Sequence, residues 1–137
     1  MALFPPLLFG LASCTTSPPA CVQGLSLDCQ PLFDPPSYQA IFDQIFAPTC
    51  ATGSGTCHTV DGHKNGLVFA DADAAYGLLL SPPDTSPRVR PGDPSCSLLM
   101  IRLESNDPDF RMPPGDTPLL PAARCDIVQW IAAGAAR

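Results

Sequence analysis

Positive charge is scarce in this sequence. Seven Lys and Arg stand against 13 Asp and Glu, a net charge of −6, and the bases form no cluster. That excludes nucleic acid and anionic membrane surfaces as partners. No run of about 20 apolar residues occurs, so no transmembrane helix is expected. Strand-like alternation and internal repeats are also lacking. No Ser/His/Asp arrangement and no paired-carboxylate signature marks a catalytic centre, so an enzyme is not expected. With 137 residues the chain makes one domain with a modest core.

Proline and cysteine, by contrast, are plentiful. The 18 Pro and 10 Gly imply many turns and short elements. Seven Cys in so short a chain point to an oxidising compartment. The first segment, 1–14, is apolar and ends in Leu11-Ala12-Ser13-Cys14. Small residues before a Cys are what a lipoprotein signal peptidase requires, so this tetrapeptide resembles a bacterial lipobox. Cys14 is then the lipidated residue, anchoring an exported protein at the periplasmic or cell-surface face of a membrane. No Lys or Arg precedes the apolar run, which departs from that pattern. Residues 15–36 read as a polar tether and an extended arm holding Cys21 and Cys29.

Residues 37–137 read as all-α, about four short helices with long loops. Tyr38, Ile41, Phe42, Ile45 and Phe46 follow helical spacing, with Ser37 as N-cap and Pro48 as terminator. Asp71 to Leu80 is a second helix, its acids placed where the helix dipole favours them. Asp93 and Pro94 open a third, in which Cys96, Leu99, Met100 and Leu103 share a face. Pro121 opens the last, in which Ala123, Ile127, Trp130, Ile131 and Gly134 share a face. Trp130 and the first helix's aromatics belong to the core. So much irregular loop in a compact domain needs something to order it, a cofactor or disulfides.

Cysteine thiols add to haem vinyl groups, and a His directly after the second Cys ligates the iron. Cys57-His58 is such a pair. The usual spacing is C-x-x-C-H; here Cys50 lies six residues before Cys57, and Ser54 stands at the first-Cys position. Met112, in the loop before the last helix, is the candidate distal ligand. A thioether there raises the iron potential relative to bis-His ligation. His63 competes but sits close to His58 in sequence, and Met100 reads as core. Cys50, Cys57, His58 and His63 also contain the ligand types of a zinc site. Asp71 and Asp73 read as a solvated helix start.

The segments IFAPTC (45–50), CH (57–58), GLVFADADAAYGLLL (66–80), VRPGDPSCSLLMIRL (89–103), RMPP (111–114) and WIAAGA (130–135) resemble, in order, the cytochrome c-like domains of exported proteins from myxobacteria and planctomycetes. The resemblance covers residues 37–137. It implies a cytochrome c-like fold with haem c held by His58 and Met112, and thioether attachment at Cys57 and Cys50.

With Cys14 lipidated, six Cys remain. Either Cys50 and Cys57 take haem and two disulfides are left, or Cys50–Cys57 closes a third disulfide without haem. Cys21–Cys29 and Cys96–Cys125 are the expected pairs, chosen by proximity and helix packing. Two functions follow. One is an electron-transfer lipoprotein docking a redox protein partner. The other is a haem-free, disulfide-stabilised structural or interaction lipoprotein on the same fold.

Overall fold

A computed structural model describes residues 19–52 and 57–137. The signal segment, Cys14 and Ser54 lie outside the described residues. Among those described, the structure is helical without strands, with four α-helices and two disulfides.

Helix α1 spans Tyr38–Ile41 and runs on as a π-helix over Phe42–Cys50. The Ser37 hydroxyl accepts from Ala40 N at 3.2 Å, as a capping side chain should. Tyr38, Ile41, Phe42, Ile45 and Phe46 are all buried. Pro48, expected to end the helix, does not. Its ring and missing N–H obstruct the α ladder. The wider π turn carries the chain past it: Ala51 N donates to Phe46 O, five residues back, at 3.2 Å.

Helix α2 is Ala72–Leu80, capped by the Asp71 carboxylate on Ala74 N at 2.8 Å. It presents Ala75 and Leu79 to the core. Helix α3 is Leu98–Leu103, later than expected. Asp93 Oδ1 does accept from Cys96 N at 3.2 Å, but that bond closes a turn. The carbonyl a longer helix would need, Ser95 O, is taken by Val22 N of the arm at 2.9 Å. Leu99 N turns instead to Arg88 O at 2.9 Å. Cys96 therefore sits in the turn and not on the helix face.

Helix α4, Pro121–Ala132, has Pro at its first position and packs against α1 and α3. Gly134 does not share the core face; it is exposed, with φ 106°. It ends the helix in a Schellman turn, Ala135 N to Trp130 O at 2.9 Å and Gly134 N to Ile131 O at 3.0 Å.

The arm crosses α4 and is tied to it. The buried Asp126 carboxylate accepts from Leu32 N at 3.1 Å and Phe33 N at 3.0 Å. Gln129 donates to Leu27 O and Cys29 O. The four cysteines expected in disulfides are in disulfides, but the pairs are exchanged. Cys21 joins Cys96 and Cys29 joins Cys125, in place of Cys21–Cys29 and Cys96–Cys125. An extended arm separates its own two cysteines. It delivers one to the Ser95 turn and the other to α4.

Candidate functional site

The other side of the molecule holds an open cleft with an enclosed volume of about 130 Å³. Phe46 of the π-helix, Leu67, Phe69, Leu79 and Leu103 form its apolar floor. Phe46 and Phe69 stack there with ring centroids 4.7 Å apart.

The loop bearing the Cys-His pair is stitched into place by backbone bonds. His58 N donates to Cys50 O at 3.0 Å, and Phe69 N donates to His58 O at 2.9 Å. These bring Cys50, Cys57 and His58 to one wall of the cleft despite the wide spacing between the cysteines. Both cysteines lie outside the two disulfides. Burial, with the neighbouring Cys57, pushes the Cys50 thiol up to about 12. It stays protonated at neutral pH.

His58 packs edge-on to Phe69, with centroids 5.7 Å apart. Its Nδ1 lies 3.1 Å from Leu67 O. A carbonyl only accepts, so Nδ1 carries the proton and the neutral ring keeps its lone pair on Nε2. Burial holds the imidazole below its usual range; backbone hydrogen bonds from the ring to Leu67 and Lys64 oppose this, and the charges of Arg88 and Arg102 add to it.

Met112 also lines the cleft, positioned by its N–H on Arg102 O at 3.0 Å. Met100 is fully buried in the core. His63 is exposed and turns its Nδ1 to Val60 O and Asp61 O in its own loop. The zinc set is therefore not assembled: among the described residues no three His, Cys, Asp or Glu side chains are placed to hold a metal.

Three cleft residues went unnoticed in the sequence: Lys64, Arg88 and Arg102. They are scattered over nearly forty positions and share no spacing, so no linear pattern could have grouped them.

Residues 55–116 match the family model described as Planctomycete cytochrome C. The match supports a cytochrome c-like domain. It takes in Cys57, His58, the three cations and Met112, and leaves out Cys50, the arm and α4. The matched segment thus coincides with most of the cleft wall. Comparison with curated proteins and with solved structures finds no match.

Proposed function

We propose that the cleft holds one haem c and that the chain is an exported electron-transfer lipoprotein. One observation carries this reading: Cys57-His58 and Met112 line a single apolar cleft, with the His58 lone pair on Nε2. The donor set suits haem. Bound there, the haem iron would supply one-electron exchange.

The chain's own residues divide the remaining work. Leu67 O fixes the His58 tautomer, leaving Nε2 as a donor that would hold the iron. Met112 Sδ would be the second donor, and its soft thioether would favour the reduced state. Cys57 and Cys50 would supply the thioether attachments. The Phe46–Phe69 stack and the leucines keep water from the cleft floor and lower the local dielectric.

Export is supported by the two disulfides, which persist in oxidising compartments. Among the described residues no helix is long and apolar enough to cross a membrane. A lipid on Cys14 is the proposed anchor at the periplasmic or cell-surface face, and a redox protein with a basic docking patch is the proposed partner. The two disulfides suit the alternative as well, a haem-free structural or interaction lipoprotein in which Cys50 and Cys57 close a third.

The deciding experiment is a reduced-minus-oxidised spectrum of protein made with c-type haem attachment machinery. A sharp alpha band that survives acid-acetone extraction is expected. Absence of the band, with three disulfides by mass spectrometry, overturns the reading in favour of the alternative. Met112→Ala should lower the potential and remove the Met-to-iron charge-transfer band; an unchanged spectrum assigns the sixth ligand elsewhere.

A further inference from the structure

Charge is distributed unevenly about the cleft. The chain has 13 acids and seven bases. None of the acids lines the cleft, whereas Lys64, Arg88 and Arg102 do. In a chain of net charge −6, every charged residue lining this cleft among the described residues is a cation.

Arg88 is the most telling of the three. It is only 8% exposed. Its Nη1 donates to Leu78 O at 2.6 Å and its Nη2 to Asn65 O at 2.5 Å, tying the end of α2 to the turn over Lys64–Gly66. Both partners are neutral carbonyls, and each terminal nitrogen has a second N–H. Arg102 likewise donates to a carbonyl, Phe110 O at 2.9 Å, with its guanidinium 3.9 Å from the Phe110 ring centroid. By contrast Arg124 pairs with Glu104 and Arg137 with Asp73. A buried guanidinium with no counter-charge is costly to keep. Burial accordingly pulls the Arg88 affinity for its proton down.

We infer that Arg88, together with Arg102 and Lys64, receives the carboxylates of an amphiphilic ligand whose apolar body fills the cleft. On the haem reading, on which this inference rests, those carboxylates are the two propionates. Arg88 is the buried anchor, Arg102 shares the wall with it, and the exposed Lys64 closes the rim.

The test uses the full chain made without haem attachment machinery. It is titrated with ferric protoporphyrin IX and, separately, with its dimethyl ester, following visible absorption and the fluorescence of the single Trp130. The diacid should bind about tenfold tighter than the diester or better, as close charge pairs allow. Arg88→Gln and Arg102→Gln should each narrow that gap, Arg88→Lys should restore most of it, and Lys64→Gln should narrow it least. Equal affinity for diacid and diester overturns the inference and leaves the haem reading standing. So does an unchanged gap in folded Arg88→Gln. Should Arg88→Gln fail to fold, an unchanged gap in Arg102→Gln and Lys64→Gln has the same force. Failure of both porphyrins to bind overturns the haem reading together with this one.

Discussion

The two sides of the molecule handle irregular backbone in opposite ways. On one side the arm has no regular structure, yet two disulfides, the Asp126 carboxylate and the Gln129 amide bind it to the turn before α3 and to α4. On the other, the loops 57–69 and 105–119 carry no disulfide. Backbone hydrogen bonds, with the Arg88 and Arg102 guanidiniums on Asn65 O and Phe110 O, hold them around an open cleft. Covalent links can order a loop in the absence of any ligand. A loop that walls a cleft keeps its interior surface unpaired until something fills it. The difference separates a region held by covalent links from one that encloses open space.

Breaking the covalent side should have the largest effect. The Cys29–Cys125 link spans 96 residues. Replacing both cysteines with Ala should cost about 4 kcal/mol in urea unfolding, since the chain-entropy gain grows with loop length. An unchanged midpoint would mean that hydrogen bonds alone hold the arm.

Filling the cleft tests the other side. On the proposed function, free haem at a hundredfold excess over its dissociation constant should add about 2.7 kcal/mol. The added hydrogen-exchange protection should fall on 57–69 and 105–119 and spare the arm. Protection spread evenly over both sides would erase the contrast. Asp126→Ala comes next, at about 2 kcal/mol, because it leaves two backbone N–H groups of the arm without an acceptor. Asp126→Asn, keeping one oxygen, should cost roughly half as much by thermal melting.

A pH effect belongs to the core between the two sides. Tyr38 donates to Ala72 O at 2.7 Å. Burial chiefly pushes its phenol from 10.0 to about 12, with Asp71 and Tyr76 adding and Arg137 opposing. Above pH 10 the unfolded chain loses this proton while the folded chain keeps it. Stability should therefore fall as pH rises from 10 to 12, and Tyr38→Phe should flatten that fall in urea midpoints measured at pH 9 and 11. Smallest is the Arg124–Glu104 pair at 2.8 Å, both side chains partly exposed. A double-mutant cycle should give less than about 1 kcal/mol.

Features that depend on neighbours in sequence were legible beforehand. Ser37 caps the helix it precedes, acids stand at the start of α2, Pro121 opens α4, and the spacing from Tyr38 to Phe46 marks a buried face. The Cys57-His58 pair and Met112 stood out by residue type and position. Features that depend on distant partners did not. The reach of the π-helix past Pro48 rests on a five-residue hydrogen bond that periodicity does not reveal. The late start of α3 rests on the arm claiming Ser95 O.

By itself the sequence determined the helical class, the scarcity of cations and the residue types of the candidate site, because these follow from composition and local spacing. Tertiary structure alone decided which cysteines meet, since an extended arm crosses two elements before its thiols find partners. It alone brought Arg88, Arg102 and Lys64 to one cleft with no acid in its lining. Burial, which gives an uncompensated charge its meaning, is a property of the fold and not of the chain.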